Sequence, residues 1–230
     1  MAYDTSSLPD VSGLTVGILG GTGDQGRGLA YRLARAGHPV LVGSRHAERG
    51  KAAAADLSTM PGVAAPVTGG ENRWAAESAD LVIVAVPWDG HAATLAELRG
   101  PLAGKVVVDC VNPLGFDERG AYAVPVPEGS AAEQAAALLP DSRVCAAFHH
   151  VSAVLLADPE VSRIDLDVLV LGDDRDAAAT VQALAARIPG VRGVYAGRLR
   201  NARQVEALTA NLIAINRRYR THAGIRVTNL

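Results

Sequence analysis

The chain has 230 residues, a formal net charge of −2, 49% hydrophobic residues and 20% charged residues. These values exclude a disordered chain, and its two cysteines are too few for a small disulfide scaffold. The balanced charge gives no basic field for nucleic acid, and no run reaches the roughly 18 apolar residues of a membrane span. The polar N-terminal stretch lacks the features of a signal peptide. We therefore expect a cytoplasmic protein that binds neither nucleic acid nor a membrane.

Apolar runs alternate with alanine-rich helical stretches along the chain. Continuous Val, Ile and Leu runs are typical of strands covered on both faces, and a strand–helix–strand order indicates a parallel sheet. The predicted strands are 14–19, 40–43, 81–86, 105–109, 143–148 and 167–171, and the predicted helices are 24–36, 47–57, 88–98, 131–139, 177–187 and 202–220. Ser130 and Glu133 have the spacing of a capping box.

This pattern predicts an α/β fold, a Rossmann-like doubly wound parallel sheet with a small C-terminal α/β segment. The alternation becomes less regular after about residue 157. We place a boundary near residue 155, which gives a nucleotide-binding domain of residues 1–155 and a smaller C-terminal domain of residues 156–230.

A glycine-rich turn follows the first predicted strand and precedes the first helix. Its spacing, Gly21-x-Gly23-x-x-Gly26, matches the dinucleotide-binding fingerprint in the context that the fingerprint requires. Glycine permits the tight turn and the close approach of a pyrophosphate, and the helix N-terminus supplies unpaired N–H groups. The alternative is a turn that serves only helix–strand packing.

The end of the second strand favours NADP over NAD. An NAD site usually has Asp or Glu there to bind the ribose 2′-hydroxyl, whereas this chain has Ser44, Arg45 and His46, with Arg49 one turn later. Ser44 can hydrogen-bond to a 2′-phosphate and the arginines can pair with it, and Thr22 lies near the same corner. A solvated basic helix start is the alternative, but cations there oppose the helix dipole.

These motifs resemble those of a known family. Residues 19–23 (LGGTG), 42–45 (VGSR), 86–88 (VPW), 146–153 (AAFHHVSA) and 198–209 (RLRNARQVEALT) follow one another in the order seen in the coenzyme F420-dependent NADP oxidoreductases. The resemblance covers nearly the whole chain after its first dozen residues. It implies reversible hydride transfer between NADPH and F420, an 8-hydroxy-5-deazaflavin with a phosphate and an oligoglutamate tail.

The resemblance also implies which residues bind the cofactors. They are Thr22, Ser44, Arg45 and Arg49 at the NADP phosphate corner, Gly23, Asp24 and Gln25 at the pyrophosphate, Pro87, Trp88, Leu114 and Ala153 further along the dinucleotide, and His149 with residues 209–211, including Asn211, near the deazaflavin. The chain departs from the family at Ser152, where proline is usual, and along 109–114. We expect no catalytic side chain and no metal ligand, because hydride transfer between two redox rings requires stacking and exclusion of water.

The C-terminal segment is locally basic. From Arg192 onward it has eight arginines, with Glu206 as its one acid. Such a segment suits a polyanionic ligand like the oligoglutamate tail, whereas a solvated helix face and a dimer interface are the alternatives. The long final helix favours a homodimer.

Two other functions stay open at this stage. One is an NADPH-dependent reductase of another small substrate, for which His149 would be the acid, although the near absence of lysine disfavours it. The other is a non-catalytic NADP-binding sensor, which needs no second ligand. His149, His150 and Trp88 have structural alternatives as core residues, and we expect Cys110 and Cys145 to be inert buried thiols.

Overall fold

The computed structural model describes residues 6–230, so residues 1–5 of the polar N-terminal stretch lie outside the described residues. Its strands are β1 (Val16–Leu19), β2 (Val40–Ser44), β3 (Val67–Glu71), β4 (Leu81–Val84), β5 (Val106–Asp109), β6 (Leu114–Asp117), β7 (Gly120–Ala123), β8 (Arg143–Ala146), β9 (Leu166–Gly172) and β10 (Val191–Gly197). Its α-helices are α1 (Asp24–Arg35), α2 (Ala47–Ser58), α3 (Asn72–Ser78), α4 (Trp88–Glu97), α5 (Arg99–Leu102), α6 (Ala131–Leu138), α7 (Ala153–Ala157), α8 (Arg175–Ala186) and α9 (Ala202–Tyr219).

One sheet of eight strands organises the described chain, in the order β10-β9-β8-β5-β4-β1-β2-β3. Six neighbouring strands of this sheet, in the spatial order β3-β2-β1-β4-β5-β8, pair in parallel. This is the strand order of a dinucleotide-binding fold. β9 is antiparallel to β8 and parallel to β10. The predicted Rossmann-like fold with a C-terminal α/β segment is thus confirmed. The C-terminal segment continues the same sheet, and the division at residue 155 stays a prediction.

Both faces of the sheet are buried, as the unbroken apolar runs predict. In β4, Leu81 and Ile83 belong to one hydrophobic cluster, and Val82 and Val84 belong to the other. Because successive side chains of a strand point to opposite faces, the two clusters lie on the two sides of the sheet. Because helices cover both faces of the sheet, ligands in such folds bind at the carboxyl ends of the parallel strands.

The sequence pattern misses the elements that lack an apolar run. β3 contains Gly69 and Gly70, and a Cβ on Gly69 would lie 2.0 Å from the carbonyl oxygen of Gly50 in α2. α2 and β3 therefore pack backbone against backbone, without the large side chains that reveal a strand. The short β6–β7 hairpin, α3, α5 and β10 are not predicted either, and α7 is not predicted although its sequence, AVLLA, is apolar.

Several element ends differ from the prediction. The strand predicted over 143–148 ends at Ala146, because Phe148 has a φ of 64° and leaves the extended conformation. The strand predicted over 81–86 ends at Val84. The capping box at the start of α6 is confirmed, since the Glu133 N–H donates to Ser130 Oγ at 3.0 Å. Within residues 6–230, no helix has the length and apolarity that crossing a bilayer requires.

Candidate functional site

A cavity of about 580 Å³ lies at the carboxyl ends of β1, β2 and β4. We call it the first-turn cavity, because the turn between β1 and α1 forms one wall. Eight of the thirteen residues that the sequence predicts to bind cofactor line it: Thr22, Gly23, Asp24, Gln25, Ser44, Arg45, Arg49 and Pro87. These residues lie at or just after the ends of three different strands, and the fold brings together residues that are up to 65 positions apart in the sequence.

Gly20 and Gly26, at the two ends of the glycine turn, pack too closely for a side chain. Gly20 has a φ of +71°, and a Cβ on it would lie 2.7 Å from the Ala85 carbonyl oxygen. A Cβ on Gly26 would lie 2.8 Å from the Gly20 carbonyl oxygen. Gly23 is the N-cap of α1, and no side chain caps that helix. The first backbone N–H groups of α1 thus face the cavity without a capping side chain, which fits a pyrophosphate at the helix N-terminus.

The end of β2 supplies the positive charge of the cavity. Ser44 is buried, and the N–H of His46 donates to its Oγ at 3.4 Å. Within residues 6–230, neither Arg45 nor Arg49 forms an ion pair within 4.0 Å. By contrast, Lys51 in the same helix α2 contacts Glu48 at 2.9 Å. Two unpaired guanidinium groups at this corner fit a 2′-phosphate.

Two neighbouring residues were not predicted. Asn72 is buried, and its Oδ1 accepts a hydrogen bond from the Gly20 N–H at 3.2 Å, so it holds the glycine turn in place. Glu71 lies at the end of β3 beside Ser44 and lines an adjoining cavity of about 330 Å³ together with Arg45. The run Gly69–Asn72 has no apolar signal, which is why sequence reasoning passed over both residues.

Five predicted residues do not line the first-turn cavity. Trp88 begins α4, Leu114 begins β6, Ala153 begins α7, Asn211 is exposed on α9, and His149 is buried beyond β8. Trp88 lies between Pro87 and Asp89, which do line that cavity, whereas Leu114 and His149 follow the ends of β5 and β8. The structure thus separates the predicted residues into a group at the first-turn cavity and a group, with Leu114 and His149, after the ends of β5 and β8.

Hydrogen bonds connect the two groups. Gln25 Nε2, on the cavity wall, donates to the Phe148 carbonyl oxygen at 3.2 Å. The adjacent His149 carbonyl oxygen accepts from Asn112 Nδ2 at 2.8 Å and from Thr209 Oγ1 at 3.0 Å. The glycine turn, the end of β5 and α9 are therefore fixed to one short segment of chain after β8.

The His149 ring is not suited to donate protons as a cation. Burial lowers its pKa to about 4, so the ring is neutral near pH 7. Neither ring nitrogen has a hydrogen-bond partner among the described residues. These features disfavour the alternative reductase in which His149 acts as the acid, since a general acid works best with a pKa near the operating pH.

A buried polar network lies beneath the same edge. His91 Nε2 contacts Asp109 Oδ2 at 2.6 Å, and His91 Nδ1 contacts Gln134 Oε1 at 2.9 Å. Burial lowers the pKa of His91, but the Asp109 carboxylate outweighs that effect and the net shift is upward. Asp109 also accepts the Val111 N–H at 3.0 Å, which fixes the chain as it leaves β5.

Glu206 joins α9 to α6 within this network. Its two carboxylate oxygens accept the N–H groups of Ala131 and Ala132 at 2.9 and 3.1 Å. Burial raises the pKa of Glu206 to about 7 even though these hydrogen bonds lower it. The one acid of the basic C-terminal segment is therefore a helix cap.

Several C-terminal arginines also have structural partners. Arg192 Nε contacts the buried carboxylate of Asp167 at 2.6 Å, and Arg226 contacts the same carboxylate at 3.1 Å. These two arginines secure β9, β10 and the C-terminal residues. The two thiols are inert, as predicted: both are buried, and burial raises the pKa of Cys145 to about 12 and that of Cys110 further.

The fold and the cavity together define a Rossmann-like dinucleotide-binding protein with an NADP-type corner. The family described as NADP oxidoreductase coenzyme F420-dependent matches residues 15–113. The chain is 43% identical over 224 residues to the F420-dependent NADP reductase of Methanothermobacter thermautotrophicus, covering 94% of this chain and 96% of that one. It is 38% identical to the enzyme of the same name from Methanocaldococcus jannaschii, covering 94% and 99%. The chain belongs to the F420-dependent NADP reductase family.

A solved structure agrees with this membership. The crystal structure of a putative F420-dependent NADP reductase from Arthrobacter sp. FB24 aligns with a TM-score of 0.77 and 28% sequence identity. The alignment covers 94% of this chain and all of that one, so it includes the C-terminal segment as well as the nucleotide-binding part.

Proposed function

We propose that this protein transfers a hydride between NADPH and the deazaflavin coenzyme F420, in either direction. The observation that carries the proposal is the first-turn cavity, in which a bare helix N-terminus adjoins two arginines without carboxylate partners. Membership of the F420-dependent NADP reductase family supports F420 as the second partner.

The chain's own residues bind and position the nucleotide. In this proposal Thr22, Ser44, Arg45 and Arg49 hold the 2′-phosphate, and Gly23, Asp24 and Gln25 surround the pyrophosphate. Asn72 preserves the shape of the turn through its hydrogen bond with the Gly20 N–H. When bound, NADPH would supply the hydride that the deazaflavin accepts, and water would supply the proton that completes the reduction, so no side chain with a shifted pKa is required.

The remaining predicted residues lie further along the site: Pro87, Trp88, Leu114 and Ala153 along the dinucleotide, and His149 and Asn211 on the deazaflavin side. Pro87 also lines the first-turn cavity. Trp88, Leu114 and Ala153 offer apolar surface that excludes water from the rings, whereas His149 and Asn211 approach from β8 and α9. The hydrogen bonds to the Phe148 and His149 carbonyl groups hold this side against the glycine turn.

The direct test is to mix the purified protein with NADPH and oxidised F420 and to follow the visible absorbance of the deazaflavin. We expect rapid bleaching with NADPH and little with NADH, and no reduction of a free flavin run in parallel. Binding of NADPH without bleaching would contradict the proposal and favour a sensor or a reductase of another substrate.

We also propose a cytoplasmic homodimer with two functional parts. Two free buried thiols fit a reducing compartment. Ile215 and Tyr219 are exposed one turn apart on α9 and offer an apolar face for a second copy. Residues 1–155 would then bind NADP, and residues 156–230 would help to form the deazaflavin site. Sedimentation velocity measures the oligomeric state, and a monomer at working concentration would contradict the dimer.

A further inference from the structure

A second positively charged depression lies away from the first-turn cavity. It has a volume of about 590 Å³ and is enclosed by the β6–β7 hairpin and the C-terminal half of α9. Four arginines line it, namely Arg119 from the hairpin and Arg217, Arg218 and Arg220 from the end of α9. We call this depression the arginine groove.

The charge of the groove is largely uncompensated. Asp117 is the one acidic residue of its lining, and it contacts Arg119 at 3.8 Å. Within the part of the chain that the structure describes, Arg217, Arg218 and Arg220 form no ion pair within 4.0 Å. Four positive charges against one negative charge favour an anionic occupant.

Three of the five arginines of the same segment outside the groove have carboxylate partners. Arg192 and Arg226 contact Asp167, and Arg198 lies 3.9 Å from Asp173. Their charges are balanced within the chain, which identifies them as structural. Within the described residues Arg200 and Arg203 form no ion pair within 4.0 Å either, so the groove arginines are distinguished by lining one depression together.

The groove continues from the deazaflavin side of the proposed site. Thr209, on the early part of α9, donates to the His149 carbonyl oxygen, and the hairpin begins at Leu114, just after Asn112 contacts that same oxygen. Positions 209, 213 and 217 follow one stripe of α9, on which Ile213 and Arg217 line the groove, and Arg220 follows as the C-cap residue of the helix. The eight residues of helix from Thr209 to Arg217 span about 12 Å. A flexible tail attached to a deazaflavin ring near Thr209 can reach across this distance.

We propose that the arginine groove binds the anionic tail of the deazaflavin coenzyme, that is, its phosphate and glutamate carboxylates. The proposal rests on the proposed function, because it assumes that the ring binds near His149. Arg217 and Arg218, at the end of α9, pair with the glutamate carboxylates of the tail. Arg119 contacts the tail from the β6–β7 hairpin. Because these charges are exposed, the groove adds affinity and tolerates tails of different length.

The test compares two ligands in fluorescence titrations without NADPH. One ligand is F420 with its phosphate and glutamates, and the other is the same deazaflavin with a ribityl chain alone. The variant Arg217→Glu/Arg218→Glu should weaken F420 binding about tenfold and leave the binding of the tail-less ligand and of NADPH unchanged. Added salt should weaken F420 binding to the native protein more than to the variant.

Arg99→Glu is the control for charge reversal away from the groove, since Arg99, which lies 3.7 Å from Asp141, is an exposed arginine on α5, and α5 precedes β5 and lies at the amino ends of the parallel strands. It should change neither ligand's affinity. Equal weakening of both deazaflavins by the double variant, or no weakening of either, would overturn the groove proposal. So would a change of oligomeric state accompanied by unaltered F420 affinity, which would show that the groove is an interface between copies. Failure of the native protein to bind either deazaflavin would instead overturn the proposed function.

Discussion

The first-turn cavity and the arginine groove both contain arginines without carboxylate partners among the described residues, but they are built in different ways. The cavity is formed mainly by backbone, with a left-handed Gly20, a bare α1 N-terminus and two arginines on one short turn. The groove is formed by side chains from a hairpin and a helix about 100 residues apart in sequence. The backbone arrangement of the cavity allows little variation, because a methyl group added at Gly20 would meet backbone atoms. The groove tolerates variation, because its arginines are exposed and long.

The largest expected effect tests the backbone origin of the cavity. Gly20→Ala should lower the free energy of unfolding by about 4 kcal/mol, because alanine would have to adopt a positive φ with its Cβ 2.7 Å from the Ala85 carbonyl oxygen. Urea denaturation measures this loss. Gly23→Ala is the control, since its Cβ would lie 3.6 Å from the nearest atom. It should fold normally and bind NADPH more weakly, because it adds bulk to the cavity lining. Equal stability of the two variants would refute the steric argument.

The next effect concerns the network under the deazaflavin side. The folded state raises the pKa of Glu206 from 4.5 to about 7, so folding strengthens proton binding there. Its contribution to stability is therefore complete below pH 4.5 and is lost as the pH rises through 7, by on the order of 3 kcal/mol. Glu206→Gln should remove this loss. Urea denaturation between pH 4.5 and 8 measures the difference between native protein and variant.

Among the other titrating groups, His91 is coupled to Glu206, because the Glu206 carboxylate helps to raise the pKa of His91, so the difference reports the two groups together. His149 and His150 behave otherwise. Burial lowers the pKa of His149 and His150 to about 4, so their contribution is lost as the pH falls below 6.5, the opposite direction. Both histidines are present in the native protein and in Glu206→Gln, and their effect cancels in the difference. Glu160→Gln, at an exposed position, serves as the control and should follow the native profile. Parallel profiles for the native protein and Glu206→Gln would mean that Glu206 is ionised throughout.

The contrast between the cavity and the groove also explains which features could be predicted from the sequence. The glycine fingerprint and the pair Arg45 and Arg49 are local motifs, and the backbone geometry that they require is encoded within a few residues. The fold followed from strand runs that are apolar on both faces. The role of Glu206 could not be predicted, because its partners Ala131 and Ala132 are ordinary helix residues about 75 positions away.

The same physical reason accounts for the other omissions. β3 has glycines where strands usually have branched side chains, so the close packing that defines it leaves no apolar signal. Asn72 acts through one hydrogen bond to Gly20, and a lone asparagine at a helix start is usually a cap. The C-terminal arginines looked alike in sequence, and only the fold separates Arg192, which contacts Asp167, from Arg217 in the groove.

A smaller effect tests the charged corner of the cavity. Arg45→Ala/Arg49→Ala should raise the Kd for NADPH about 100-fold, or about 2.7 kcal/mol, because two charge-assisted contacts with the 2′-phosphate are lost. Binding of NADH should be unchanged. Lys51→Ala is the matched control, since Lys51 is on the same helix and is paired with Glu48. Equal losses for NADPH and NADH, measured by fluorescence titration, would contradict the assignment.

The smallest effect examines the connection between the two regions. Thr209→Val removes the hydroxyl that donates to the His149 carbonyl oxygen, but Asn112 still donates to that oxygen, so the free energy of unfolding should fall by only about 1 kcal/mol. If α9 helps to position the deazaflavin, the Kd for F420 should rise severalfold while the Kd for NADPH stays unchanged. Thr180→Val, which removes an exposed hydroxyl that donates to the Asp176 carbonyl oxygen, should change neither affinity. A parallel loss of NADPH affinity in Thr209→Val would mean that the segment after β8 transmits the change to Gln25 through Phe148, and that the two regions bind their ligands as one unit.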